Sequence, residues 1–274
     1  MTKFRTLIAA FCLAGPSLMS GPAVAQEVPD DLVAAELLPG WQTEAGTRMA
    51  ALHLRLASGW KTYWRVPGEA GIPPSFDWRG SKNLADVVYH WPKPELFEVN
   101  GMRTIGYHDD LTLPIEMRPA SSAEPVVAAA RIDLGVCKDI CVPVSLDLRL
   151  SFDPAEAGTP DPAIRASLAS SPESAQRGGV VRATCQAEPI RDGMRLSARV
   201  TMSPLGGDEI AVLELSDRPV WVSDSQSHRE GGDLVAVSDL VPDEAQPFAV
   251  NRSAVRITVF GGLGRVVEIQ GCTG

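Results

Sequence analysis

The residues best suited to chemistry in this chain are two cysteines four positions apart, in Val136-Cys137-Lys138-Asp139-Ile140-Cys141-Val142-Pro143. Two thiols that can form and break a mutual disulfide can pass two electrons to or from another thiol protein. Lys138 would favour a thiolate and Asp139 would oppose it, so the neighbouring charges leave reactivity open. The spacing fits a redox site, a plain hairpin disulfide or two free thiols.

Covalent geometry restricts how the pair can be arranged. On one extended strand, residues four apart lie about 13 Å from each other. A disulfide needs Cα atoms within roughly 4.4–6.8 Å. A helical turn would bring them together, but Val136, Val142 and Pro143 discourage a helix. A hairpin tip is what remains, with Lys138, Asp139 and Ile140 as the connection and the cysteines facing each other about 4.5–5.5 Å apart. A bond closing so short a loop restrains the unfolded chain by only ~2 kcal/mol, which suits opening and closing better than stapling.

Cys185 and Cys272 read as a structural disulfide, joining the first strand of a second domain to its last. Closing a loop of almost ninety residues is worth ~4–5 kcal/mol in the loop-entropy model. The fifth cysteine, Cys12, falls in a leader: Lys3 and Arg5, an apolar run Thr6 to Leu13, and the small-residue pattern Ala23-Val24-Ala25. These features predict a secretory signal peptide over residues 1–25, cleaved after Ala25, with bulky Phe11 arguing against lipidation at Cys12. Export puts the four remaining cysteines where disulfides persist. No later stretch approaches the roughly 20 apolar residues of a membrane span.

The elements that must hold these cysteines are strands. With 24 Gly and 22 Pro in 274 residues, turns are frequent, and no long 3.6-period segment occurs. Strands are expected at Met49–Leu56, Ser75–Trp78, Val87–Trp91 and Leu111–Met117. Two more, Val126–Val136 and the alternating Val142–Phe152, flank the cysteine pair. Residues 154–177 have a linker composition, with Asp161 and Pro162 starting a short helix that runs to about Ser170. A second β-rich segment follows, with strands at Arg195–Thr201, Ile210–Leu215, Val220–Val222, Leu234–Val237, Ala254–Phe260 and Arg265–Ile269. Gly261-Gly262-Leu263-Gly264 sits between two of these strands and reads as a hairpin turn, not a phosphate loop. The fold class is therefore all-β. An immunoglobulin-like sandwich over 26–153 precedes a second, smaller β sandwich over 178–274.

The net charge of −9 becomes −11 once Lys3 and Arg5 are removed, with 23 basic against 34 acidic residues. An acidic surface without basic clusters argues against nucleic-acid binding. His53, His90, His108 and His228 are scattered, so no metal site and no cofactor is expected. Copper held by Cys137, Cys141 and a histidine or Met102 is the one metal chemistry the residue types allow, since thiolates select soft ions. Trp60, Tyr63, Trp64, Trp78 and Trp91 read as core aromatics.

Several separate motifs resemble one family in the same order. These are Gly59-Trp60-Lys61-Thr62-Tyr63-Trp64-Arg65-Val66-Pro67-Gly68, Gly71-Ile72-Pro73-Pro74, Trp91-Pro92-Lys93-Pro94, Gly106-Tyr107, Leu111-Thr112-Leu113-Pro114 and the cysteine stretch. From Leu37 to Phe152 the chain resembles the amino-terminal periplasmic domain of DsbD-type thiol:disulfide interchange proteins. The resemblance implies a sandwich with redox-active cysteines, Cys137 and Cys141, in the periplasm. It implies electrons received from a membrane-embedded partner through a thioredoxin-like domain and passed to periplasmic thiol proteins. It also implies an aromatic cap loop, for which Glu95 to Thr104 corresponds by position, with Phe97 as the shielding ring. Two features depart from the family. Three residues separate the cysteines here instead of five, and the chain carries no transmembrane or thioredoxin-like portion, so an electron donor is expected in trans. The competing expectation is a non-catalytic binding module that assembles with a membrane thiol transporter or a copper-handling protein.

Overall fold

Alternation of apolar and polar residues along most strands builds two sandwiches in series. The structure is a computed structural model that describes residues 31–99 and 101–274. The expected leader, its cleavage site, Cys12 and the Gln26 boundary lie outside the described residues.

The first sandwich contains β1 (Val33–Gln42), β2 (Arg48–Leu56), β3 (Lys61–Gly68), β4 (Ser75–Asp77) and β5 (Leu84–Tyr89). It continues through β6 (Glu95–Val99), β7 (Met102–His108), β8 (Asp110–Pro119), β9 (Val126–Cys137) and β10 (Cys141–Phe152). One sheet has the order β1-β2-β8-β5 and the other β10-β9-β3-β7-β6, with β4 paired to β9. Period-2 alternation decides which residues meet between them. Leu52, Leu54, Leu113 and Ile115 of the first sheet pack against Ile132, Leu134 and Val136 of the second.

The other face of β2 is buried too. Met49 and Ala51 lie under the helix α1 (Pro162–Ala169), whose Ile164 is fully buried against them. Asp161 caps this helix by accepting from the N–H groups of Ala163 and Ile164, and Pro162 fills the first turn. Ser167 Oγ donates to the Thr112 carbonyl of β8 at 2.5 Å. The segment expected as a linker is thus docked on the first sandwich, where burial of Ile164 holds it.

The second sandwich has β11 (Glu173–Ser174), β12 (Val180–Ile190), β13 (Gly193–Met202), β14 (Ile210–Leu215) and β15 (Trp221–Val222). It ends with β16 (Gln226–Glu230), β17 (Asp233–Val241), β18 (Val255–Phe260) and β19 (Val266–Gln270). Its sheets run β11-β19-β18-β14 and β12-β13-β17-β15, with β16 also on β17. Leu196, Val200 and Leu234 face Leu213, Ile257 and Val259 in its core. Cys185 on β12 is bonded to Cys272. Cys272 lies just past the last strand instead of on it, in a tail where Thr273 bridges Thr184 in parallel.

The two sandwiches touch through β3. Trp64, fully buried, meets the Phe260 ring edge-on at 5.9 Å between centroids. The next residue, Arg65, is clamped by Glu214 at 2.8 and 2.9 Å and by Glu268 at 2.6 Å. Burial pulls the guanidinium pKa down, but the two carboxylates more than offset it and leave the net shift upward. No helix among the described residues is long and apolar enough to cross a membrane.

Candidate functional site

The cysteine pair sits at the tip of the β9–β10 hairpin. Cys141 pairs directly with Cys137 in the antiparallel register, their Cα atoms are 4.1 Å apart, and the two are disulfide-bonded. Lys138, Asp139 and Ile140 make the connection, tightened by Lys138 N–H donating to the Ile140 carbonyl at 3.0 Å. Register decides which face the sulfurs share. Val126, Ala128, Ala130, Ile132, Leu134 and Val136 alternate into the core, so Cys137 points to the opposite, outer face of its sheet. The two cysteines are unequal there: Cys137 is 1% exposed, whereas Cys141 is exposed.

Neighbouring strands supply the cover on Cys137. On β3, Lys61 is the cross-strand partner of Cys137 and also pairs with His108 on β7. Lys61 and Tyr63 share the outer face, while Trp60 and Trp64 belong to the core. The Tyr63 hydroxyl lies 3.5 Å from Cys141 Sγ. A disulfide sulfur has no proton to give, so the phenol is the donor. Tyr63 is only 2% exposed, and burial raises its pKa, which keeps the phenol protonated and available as a donor at neutral pH. The ammonium of Lys61 is also buried, its pKa lowered by desolvation, and it donates to Thr104 Oγ1 at 3.2 Å.

Phe97 lies on the same outer face. The expected cap loop over Glu95 to Thr104 is mostly not a loop: β6 and β7 form a tight hairpin, with Phe97 paired to Thr104. The Phe97 ring covers the Lys61 ammonium at 4.9 Å and meets the His108 ring edge-on at 4.6 Å. It therefore shields the cation across from Cys137. On the other side, the turn after β3 folds back over the sheet. A Cβ on Gly135 would come within 2.7 Å of Ile72, so only glycine lets that turn close down two residues from Cys137.

Met102 does not join this group. It starts β7 while His108 ends it, which puts the two roughly 20 Å apart along the strand. Lys61, the cross-strand partner of Cys137, pairs with His108, so Met102 stands at the end of β7 away from the cysteine pair. No group of three or more His, Cys, Asp or Glu among the described residues could hold a metal ion.

Residues 34–152 match the family model described as thiol:disulfide interchange protein DsbD, N-terminal. The match spans nearly all of the first sandwich, from the start of β1 to the end of β10. The matched family is that of a thiol–disulfide interchange module, and in this chain the pair is disulfide-bonded. The crystal structure of the N-terminal periplasmic domain of ScsB from Proteus mirabilis is similar at 23% identity and a TM-score of 0.57, covering 88% of this chain and 92% of that one. So wide a cover takes in the second sandwich and shows the fold. The reduced DsbD N-terminal domain of Neisseria meningitidis matches 43% of this chain and 85% of its own, at 16% identity and a TM-score of 0.29. No curated protein matches the chain.

Within the matched sandwich, the sequence names the two cysteines as candidates and leaves out what surrounds them. Composition groups Tyr63 with the core aromatics and gives Lys61 no role. The signal is nonetheless present in Trp60-Lys61-Thr62-Tyr63-Trp64: alternation alone puts Lys61 and Tyr63 on one face and the tryptophans on the other.

Proposed function

We propose that this chain relays reducing equivalents between exported thiol proteins in the periplasm, with Cys141 making first contact and Cys137 resolving. The observation that carries this reading is the asymmetry of the pair. Cys141 is exposed beside a protonated tyrosine hydroxyl, and Cys137 is buried behind Lys61.

In the reduced protein the Cys141 thiolate attacks one sulfur of a partner's disulfide. That S–S bond breaks, a Cys141–partner disulfide forms, and the partner's other cysteine leaves as a thiolate. The Cys137 thiolate then attacks Cys141 Sγ, closing the intramolecular bond seen here and releasing the partner as a dithiol. Two electrons have passed to the partner. A second dithiol protein restores the pair by the reverse sequence. Tyr63 acts at the first step, where its hydroxyl donates to the Cys141 thiolate. Phe97 keeps water from Lys61, so that the buried cation retains its effect on the cysteine opposite.

The test is a pair of single substitutions in a periplasmic extract. Cys137→Ser leaves the exposed thiol and removes the resolving one, so it accumulates a mixed disulfide through Cys141. Cys141→Ser does not. Trapping by the Cys141→Ser variant instead, or by neither, refutes the assignment. The reduction potential separates exchange from a binding module whose disulfide is inert: an exchange pair titrates above about −300 mV.

A further inference from the structure

A cleft of about 360 Å³ separates the two sandwiches and has no role in the exchange step itself. Its walls are apolar, with Val66, Pro67 and Ile105 on the first sandwich and Ile210, Val220 and Trp221 on the second. Trp221 is 64% exposed, and no other tryptophan is among the exposed large hydrophobic residues described. It sits on β15, a strand of only two residues, and packing of the second core does not require a bare indole there.

The charges in the cleft lean one way. Glu69 comes from the first sandwich and Asp224 from the second, and the guanidinium of Arg103, which acts on Asp224, offsets one of these two charges. Arg65 also lines the cleft, but Glu214 and Glu268 already hold its charge. Partial burial of the Asp224 carboxyl and the nearby negative charge of Glu69 both raise its pKa, with Arg103 acting in the opposite sense. Such a site is short of a cation. An exposed indole face next to carboxylates offers a lysine or arginine both charge pairing and a cation–π contact.

The cleft also adjoins the exchange site. Gly71 lines it, and a Cβ on Gly71 would come within 2.8 Å of the Tyr63 ring, whose hydroxyl reaches Cys141 Sγ. A chain bound in the cleft would therefore continue toward the exposed sulfur.

We propose that the cleft between the sandwiches binds an extended, apolar segment of the partner protein that carries a lysine or arginine, seated between Trp221, Asp224 and Glu69. The identity of this partner as the exchange substrate rests on the function proposed above. Recognition at a distance from the sulfur gives the second sandwich its purpose, which is to supply half of the substrate groove.

Two blocked peptides without cysteine test the cleft by calorimetry on the full oxidised chain. Both have serine at each end and a central residue between valines, lysine in one and glutamate in the other. The lysine peptide binds and the glutamate peptide does not. Trp221→Ala and Asp224→Asn each weaken the lysine peptide several-fold to about thirtyfold. Reduction of 2-hydroxyethyl disulfide by the reduced chain, which needs no cleft, stays unchanged in both variants. Equal binding of the two peptides, binding of neither, or variants that leave the affinity unchanged overturns the proposal. If the lysine peptide binds as stated but the small disulfide is never reduced, the cleft stands and the exchange function falls. If the small disulfide is reduced normally but the peptides show no preference, the exchange function stands and the cleft falls.

Discussion

Replacing Tyr63 with phenylalanine removes one oxygen, the donor 3.5 Å from Cys141 Sγ, and keeps the ring that fills the outer face of β3. In the reduced protein that hydroxyl stabilises the thiolate more than the thiol, because a charged acceptor takes a stronger hydrogen bond. A bond of this type is worth about 1.5 kcal/mol, close to one pKa unit. Tyr63→Phe should therefore raise the Cys141 thiol pKa by about one unit. Where the pH lies below both values, the thiolate fraction falls about tenfold. The more basic thiolate is intrinsically a better nucleophile, with a Brønsted coefficient of about 0.4–0.5, which restores about threefold. The net loss at neutral pH is about three- to fourfold in the rate of attack on a small disulfide. Above both pKa values only the nucleophilicity effect remains, so the variant becomes the faster of the two. The assay is the pH dependence of alkylation of Cys141 in the Cys137→Ser background. Crossing of the two profiles is the signature of hydrogen bonding to the thiolate. A purely steric role shifts the whole profile without crossing, and parallel or superimposed profiles would refute the assignment of Tyr63.

Lys61→Met should raise the Cys137 thiol pKa, since it removes a buried cation directly across from that cysteine; an unchanged alkylation profile of Cys137 in the Cys141→Ser background speaks against it. Replacing Cys185 and Cys272 together by serine should cost about 4–5 kcal/mol in urea unfolding, given a sequence separation of 87, while exchange at the other pair persists. Ile164→Ala should cost about 2–4 kcal/mol by emptying the contact that docks α1 on β2, read by the same unfolding experiment. Tyr89 accepts a hydrogen bond from the Trp78 indole at 2.7 Å, and burial pushes its phenol pKa up to about 12. Its folded value lies above the unfolded value, so its contribution is fully present below about pH 10 and is lost as pH rises toward 12. Tyr89→Phe should flatten that alkaline loss of stability, and an unaltered alkaline limb contradicts the pairing.

The hairpin carrying the cysteines was legible because the constraint on it is covalent. A separation of four positions between bonded cysteines leaves few backbone paths, and Pro143 with its β-branched neighbours closes all but one. The helix was legible from Asp161-Pro162, a local capping signal. What the sequence could not give were features decided by a partner distant along the chain. The segment Glu95 to Thr104 is expected as a cap loop from its position in the family, yet β7 supplies the ladder that makes Glu95–Val99 extended. Arg65 looks like any surface arginine until Glu214 and Glu268 arrive from 149 and 203 residues away. Tyr63 sits among tryptophans, and composition alone assigns it to their core.

All of these long-range relations converge on β3. Over five residues this strand places Lys61 across from the buried sulfur, brings the Tyr63 hydroxyl to the exposed one, and inserts Trp64 against Phe260. Its Arg65 is tied to two strands of the second sandwich. A strand held in register on both sides by ladders does not twist locally without breaking those ladders. Hence the position of the Tyr63 hydroxyl depends on the attachment of the second sandwich as well as on the hairpin. Arg65 is 16% and Glu214 13% exposed, so an Arg65→Met substitution strands two carboxylates in a poorly hydrated contact. That should cost about 2–3 kcal/mol, below the 3–5 of a fully buried pair. If β3 is the coupling element, the same substitution also shifts the Cys141 alkylation profile, although Arg65 touches neither cysteine. A destabilised protein with an unshifted profile would mean that the sandwiches are joined only mechanically, and that the exchange site is built by the first sandwich alone.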